Sequence, residues 1–275
     1  MPTTATRTAL AARIVERLEP DIERLASAWA ASGTIRHVVV DGLLPEDDAQ
    51  RIVAAFPDQG QLVRHKSIRE HKYIGVQMDR FDPLIEEITY AFQDPQVVDA
   101  VGRITRLAEL LPDAELYAGG ISAMDRGHFL HPHVDNSHDA GRARWRAMNL
   151  LYYVTPGHQA ERGGNLELWP NGTGRGHVTI PSDFNRLVLM ETHGRSMHSV
   201  SPIRSGPPRR CVSNYYFSPV PVREDDRFHV TSFRARPGDR ALDAVLRADA
   251  LVRMGLRRFR AEGITTTRHI YRRAE

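Results

Sequence analysis

Cysteine is nearly absent: Cys211 is the only one in 275 residues. That excludes internal disulfides and every zinc site built from several cysteines. The 13 histidines are then the main candidates for metal or acid–base chemistry. Lysine is almost as scarce. Of 37 basic residues only Lys66 and Lys72 are lysines, leaving 35 arginines, and 34 acidic residues bring the formal net charge to +3. A balance so close to neutral selects no class of partner. Long apolar runs are missing as well. Runs such as Val38 to Val40 and Leu187 to Met190 fall far short of the roughly 20 residues a membrane-spanning helix needs. The first residues lack the apolar stretch of a secretory signal, and Glu16, Glu19, Asp21 and Glu23 follow too soon for a transit peptide, so a cytoplasmic protein is expected. No repeat or low-complexity tract occurs. With 41% hydrophobic and 26% charged residues the chain has what a buried core requires.

Periodicity divides the chain. Leu10, Ile14, Leu18, Ile22, Leu25 and Trp29 recur at spacings of three and four, which predicts helix, with Pro20 as a kink or as the start of a second helix. Ile35 to Val40 reads as a strand, and helices are expected at Pro45 to Ala55, Pro83 to Phe92 and Pro95 to Leu107. Beyond residue 115 short apolar segments alternate with Gly, Pro, Asn and Asp clusters. Strands are predicted at Leu116 to Met124, Met148 to Val154, Asn165 to Trp169, His177 to Ile180, Arg186 to Met190 and Cys211 to Phe217. This pattern is that of a sandwich or jelly roll. Helices return between Asp239 and Glu262. Three parts are expected in one compact domain: a helical and mixed part (1–114), a jelly-roll core (115–222) and a C-terminal helical extension (223–275). The fold class is thus mainly β with flanking α. Arg253, Arg257, Arg258, Arg260, Arg268, Arg272 and Arg273 crowd the C-terminus, but Glu262 and Glu275 interrupt them and no nucleic-acid motif accompanies them, so they read as a solvated helix face.

The chemistry-bearing stretch runs from Asp125 to Asn136 and contains His133-Val134-Asp135. A His-x-Asp triplet alone is expected about once by chance in such a chain. Its context is better: Ser196-Met-His198-Ser-Val-Ser-Pro202 offers a second histidine, and Arg209-Arg210 opens an apolar strand ending in Tyr215-Tyr216-Phe217. Two imidazoles and one carboxylate form the facial triad of non-heme iron(II) oxygenases. An arginine at a strand start suits the far carboxylate of a dicarboxylate cosubstrate, because its fork grips both oxygens.

Here the sequence resembles the iron(II)- and 2-oxoglutarate-dependent dioxygenases, in the branch similar to prolyl 4-hydroxylases. The resemblance rests on Gly127-His-Phe-Leu-His-Pro-His133-Val-Asp135, Met148 to Tyr153 with Gly163-Gly164-Asn-Leu-Glu-Leu168, Asn185 to Met190, and His198 to Pro202. It covers residues 115 to 220. It implies a double-stranded β-helix, iron ligands His133, Asp135 and His198, and Arg210 on the 2-oxoglutarate C5 carboxylate, with Arg209 as the alternative because Gly206-Pro207-Pro208 lengthens the preceding turn. It names Tyr117, Asn149 and Tyr152 as further cosubstrate contacts. Fe(II), 2-oxoglutarate and O2 are the implied reactants, with ascorbate as an accessory reductant. The implied reaction hydroxylates an aliphatic carbon and releases succinate and CO2. Asp135 favours hydroxylation over halogenation, since halogenating relatives replace that acid with a small residue.

The loop after Asp135 carries Arg142, Arg144 and Arg146, so His131, Arg144 and Arg146 are the candidate substrate contacts. A small amino-acid-like or natural-product molecule is the expected substrate, and a peptidyl prolyl-type hydroxylase is the alternative. Neither nucleic acid nor membrane is expected as a partner, and a homo-oligomer is compatible with the sequence. An inactive jelly-roll binding module is the reading outside enzymes. A cupin would need a glutamate soon after His131-Pro-His133, and residues 134–140 contain none. Arg204 and Arg210 match a spacing in nucleic-acid demethylases, but Gly206-Pro207-Pro208 forbids the regular strand those need.

Overall fold

The apolar stripe of the first thirty residues is used as the sequence predicts. The computed structural model describes residues 5–117, 119–259 and 270–271. In it α1 (Arg7–Leu18) and α2 (Ile22–Ala31) are joined by a 3-10 turn that contains Pro20. Proline fits the start of a helix, where its missing N–H is not needed. The two helices bury Leu10, Ile14, Leu18, Leu25 and Trp29. After β1 (His37–Asp41), α3 (Glu46–Ala55) sets Glu46, Asp47 and Asp48 at its positive end. Helices α4 (Pro83–Ala91) and α5 (Pro95–Thr105) start alike. Asp82 and Asp94 accept from the backbone N–H groups of Leu84 and Gln96, and proline takes the first helical position.

Residues 63–75, for which periodicity predicts no element, form the hairpin β2 (Val63–Lys66) and β3 (Glu70–Gly75). The remaining strands are β4 (Leu111–Pro112), β5 (Gly120–Met124), β6 (Phe129–Val134), β7 (Trp145–Tyr153), β8 (Leu166–Leu168), β9 (Val178–Ile180), β10 (Arg186–Glu191), β11 (His198–Val200), β12 (Arg209–Ser218) and β13 (Ser232–Phe233). Among the described residues one helix, α6 (Arg240–Phe259), follows. Arg260, Arg268, Arg272, Arg273, Glu262, Glu275 and His269 lie outside the described residues.

The strands pair antiparallel in the order β1-β10-β7-β12-β5-β3-β6-β11-β8-β9, with β2 on β3, β4 on β12 and β13 on β6. Strand β3 belongs to both halves. Its Tyr73 pairs with Ala123 of β5, and its Glu70 pairs with Leu130 of β6. The sheet therefore folds over itself into a jelly roll with a cavity between its two layers. Where β3 crosses β5 the backbones touch: a Cβ on Gly120, which has φ +107°, would stand 2.4 Å from the Gly75 carbonyl oxygen. Only glycine fits there. Strand β5 accordingly begins at Gly120, later than the predicted Leu116, which itself has φ 48°.

Alternation along the large layer separates two environments. Leu150 and Tyr152 of β7, Leu187 and Leu189 of β10, and Val212 and Tyr216 of β12 pack against Leu25, Ile85, Ile88 and Val101 of the helices. Each such side chain contributes about 1.5–3 kcal/mol by leaving water. Tyr153, Val188, Met190 and Cys211, on the opposite parity, pack with Leu166, Leu168 and Ile180 inside the roll.

Candidate active site

The cavity has a volume of about 340 Å3. His133 and His198 face each other across the paired strands β6 and β11, where they are register partners. Their ring centroids are 4.2 Å apart. Asp135, just past β6, brings one carboxylate oxygen 3.5 Å from His133 Nε2 and the other 3.7 Å from His198 Nε2. One ligand atom from each of the three lies within 4.8 Å of the others. Each ring makes its hydrogen bond through Nδ1, to a carbonyl two residues back on its own chain. His133 bonds His131 O at 2.9 Å, and His198 bonds Ser196 O at 2.9 Å. A backbone carbonyl accepts and does not donate, so the proton sits on Nδ1 and the Nε2 lone pairs turn to the centre.

Charge follows from burial. Desolvation pushes the His198 imidazole down to about 4, so it is neutral at ordinary pH. Burial alone would raise the Asp135 carboxyl, but His198, His133 and Arg146 more than offset this and hold it well below the usual range. Asn149 Nδ2 donates to Asp135 Oδ2 at 2.8 Å and fixes the carboxylate's orientation. Two imidazoles and one carboxylate on one side of a cavity fit a divalent first-row cation and leave coordination positions toward the cavity.

At another part of the cavity wall stands Arg209, 4% exposed. Its Nε donates to Gly164 O at 3.1 Å, and its guanidinium lies 4.8 Å from the Tyr153 ring centroid. The Tyr153 hydroxyl is buried without a hydrogen-bond partner. Glycine at 164 is required by its φ of +75° and by Ile203 Cδ1, 3.0 Å from a would-be Cβ. Strand β3 closes another wall with Glu70 and Lys72, paired at 2.8 Å. Burial would raise the Glu70 carboxyl, but Lys72 and His65 hold it below its ordinary value.

Residues 119–218 match the 2OG-Fe(II) oxygenase superfamily. The matched segment contains all three candidate ligands. The chain is a 2-oxoglutarate-dependent dioxygenase, and the family implies Fe(II), 2-oxoglutarate and O2. No curated protein matches the chain in sequence. Among solved structures, the oxygenase resembles a prolyl hydroxylase from Trichoplax adhaerens in complex with a peptide fragment of the hypoxia inducible factor oxygen degradation domain. Identity is 18% and the TM-score 0.54 over 74% of this chain and 91% of that one. A Pseudomonas putida prolyl-4-hydroxylase is also 18% identical with a TM-score of 0.54, over 70% of this chain and 98% of its own. The non-heme alpha ketoglutarate dependent carbocyclase SnoK from nogalamycin biosynthesis is 13% identical with a TM-score of 0.52, covering 79% and 89%. At these identities the likeness is one of fold. Among the described residues no helix is long and apolar enough to cross a membrane.

The oxygenase's cavity gathers His133, Asp135, His198, Tyr117, Asn149 and Arg146 from the residues singled out in the sequence. Four others point elsewhere. Arg210 is on the helix-facing parity of β12: its Nη1 donates to Val53 O at 3.3 Å and its guanidinium lies over Phe56, so it is Arg209 that reaches the cavity. Tyr152 packs against Phe92 and donates to Asn185 Oδ1 at 2.9 Å, again on the helix side, and Tyr153 is the inward tyrosine. His131 does not line the cavity. Pro132 and the register shift between β6 and β11 break the alternation that would align it with His133, and its ring rests 4.7 Å from Phe129. Arg144 pairs with Asp139 at 2.8 Å and covers Phe217. Glu70 and Lys72 were invisible to pattern reading because charged side chains on an inward face erase the apolar alternation of a strand.

Proposed function

We propose that this dioxygenase hydroxylates an aliphatic carbon of a small molecule, with His133, Asp135 and His198 holding Fe(II) and Arg209 receiving the C5 carboxylate of 2-oxoglutarate. One observation carries the reading: the three candidate ligands and a buried arginine line the same cavity, with no carboxylate among the described residues paired to that arginine. When bound, iron, 2-oxoglutarate and O2 supply the oxidising chemistry, with succinate and CO2 as the other products.

The protein's own residues do the positioning. The Arg209 fork presents parallel N–H donors to a carboxylate, with the Tyr153 hydroxyl beside it as a further donor. Gly164 O and the Tyr153 ring hold the guanidinium in place before any ligand arrives. Asn149 keeps one Asp135 oxygen occupied, which leaves the other for the metal. Leu151, Leu166 and Val200 line the cavity with apolar surface that excludes water.

The test is an anaerobic titration of the purified protein with Fe(II) and 2-oxoglutarate, reading the visible charge-transfer band of the chelate. The band is expected in wild type, absent in His198→Ala, and shifted to much higher 2-oxoglutarate in Arg209→Ala. A folded wild type with no band would sink the assignment. Peptidyl hydroxylation is the second reading, favoured by the structural likeness to a prolyl hydroxylase bound to a peptide. Assaying succinate release with free amino acids against short proline-containing peptides separates the two.

A further inference from the structure

The cavity holds a second cation for which the cosubstrate has no use. Arg146, on β7, has a side chain only 1% exposed, and its Nε and Nη2 are buried with no hydrogen-bond partner. The guanidinium is caged by aromatic rings, with centroids at 4.0 Å for Tyr215, 5.8 Å for Phe217 and 5.9 Å for Tyr117. Its Nη1 stands 3.8 Å from Asp135 Oδ2, beyond hydrogen-bond reach. A buried cation with unpaired donors is among the costliest arrangements in a fold. Lys72 is different, because Glu70 neutralises it within the wall.

Position along the strand separates Arg146 from the cosubstrate anchor. The register of β7 on β12 pairs Arg146 with Phe217, Asn149 with Tyr215 and Tyr153 with Cys211. Asn149, which holds Asp135, therefore lies between Arg146 and the Tyr153–Arg209 end. Arg146 and Tyr153 are separated by roughly 20 Å of strand at about 3.3 Å per residue. One 2-oxoglutarate anchored at Arg209 and reaching the metal centre leaves Arg146 on the far side. Charge points the same way. Lys72, Arg146 and Arg209 line the cavity against Glu70 and Asp135. A doubly charged iron and a doubly charged 2-oxoglutarate cancel, so one positive charge remains.

We propose that Arg146 is the receptor for the substrate's carboxylate, and that the substrate is a small monoanionic carboxylic acid of amino-acid size. This rests on the oxygenase reading above. A cavity of about 340 Å3 is near the lower end for ligand sites and must also take 2-oxoglutarate. The carboxylate occupies the Nε–Nη2 edge of Arg146, and the rest of the molecule extends toward the metal centre.

The test uses the full chain with Fe(II) and saturating 2-oxoglutarate and reads succinate formed in air. The probes are the common L-α-amino acids, their N-acetyl derivatives and the carboxamides of both. At least one carboxylate is expected to stimulate turnover, with its carboxamide weaker by about tenfold or more. Arg146→Gln and Arg146→Lys are expected to raise the KM of that carboxylate by about tenfold or more, while the 2-oxoglutarate titration of the chelate band moves less than about threefold. The lysine variant keeps the charge and guards against misfolding of the glutamine one. Carboxamides as effective as acids, or no response to any carboxylate in a wild type that forms the band, would overturn the proposal. So would loss of 2-oxoglutarate affinity as large as the loss of substrate affinity, because the guanidinium would then serve the cosubstrate. A wild type without the band overturns the oxygenase reading itself.

Discussion

The two faces of β7 and β12 are cut from the same strands, in alternation up to the register shift between Tyr216 and Phe217, yet they do different work. The face toward the helices is a hydrocarbon core in which Tyr152 and Tyr216 bury their rings and Arg210 lays its chain over Phe56. The face toward the inside of the roll carries Tyr153 and, on the cavity wall itself, Arg209, Asn149 and Tyr215, polar groups held in fixed places and in part left without partners. Arg209 and Arg210 are joined by one peptide bond, and Tyr152 and Tyr153 by another. Residue type says nothing about which member of each pair turns into the roll; strand parity decides it.

The comparison can be broken most severely on the cavity face. Replacing Asp135 or His198 with alanine is expected to abolish the iron–2-oxoglutarate band and to lower turnover roughly a thousandfold or more. The arginine pair gives the next effect. Arg209→Ala is expected to weaken 2-oxoglutarate about a hundredfold, the value of a lost bidentate charged contact, whereas Arg210→Ala leaves that titration within about twofold and is read in the melting temperature. The tyrosine pair sharpens the contrast with smaller changes. Tyr153→Phe is expected to weaken 2-oxoglutarate about tenfold without changing the melting curve. Tyr152→Phe is expected to cost about 1 kcal/mol of stability through Asn185 Oδ1 and to leave 2-oxoglutarate binding alone.

The smallest test is one of pH. Asp113 is buried beside the β4–β12 pairing with Oδ2 unpartnered, and burial pushes its carboxyl up to about 6 from 3.8. Between those values the folded protein keeps a proton that the unfolded chain has released, so stability falls as pH rises through that window and stays lower above it. Asp113→Asn is expected to raise the melting temperature near neutral pH, by the equivalent of about 2–3 kcal/mol at most, and to change nothing near pH 4. Calorimetry at the two pH values reads the difference.

Much of this was legible in the residues. Asp82-Pro83 and Asp94-Pro95 announce helix starts by a local rule, and the histidine–aspartate segments stand on strands whose order alone suggests a jelly roll. What stayed hidden has a common physical cause. Strands buried on both faces, such as Leu150 to Tyr153, are apolar throughout and show no alternation from which to read a direction. Gly206-Pro207-Pro208 likewise conceals the residue at which β12 begins its parity, and Pro132 interrupts the alternation that would set His131 beside His133. Strand β3 was missed because its inward side chains are an ion pair.

Both candidate histidine ligands lock their ring proton onto a carbonyl two residues behind them. The tautomer is therefore written into the backbone, independent of any neighbouring side chain and of the metal. A centre assembled before its ion arrives discriminates poorly by shape, and intrinsic affinity places nickel, copper and zinc above ferrous iron for such ligands. Loading such a centre with ferrous iron would then be a matter of supply, and traces of zinc are expected to act as a competitive poison of a protein that remains fully folded.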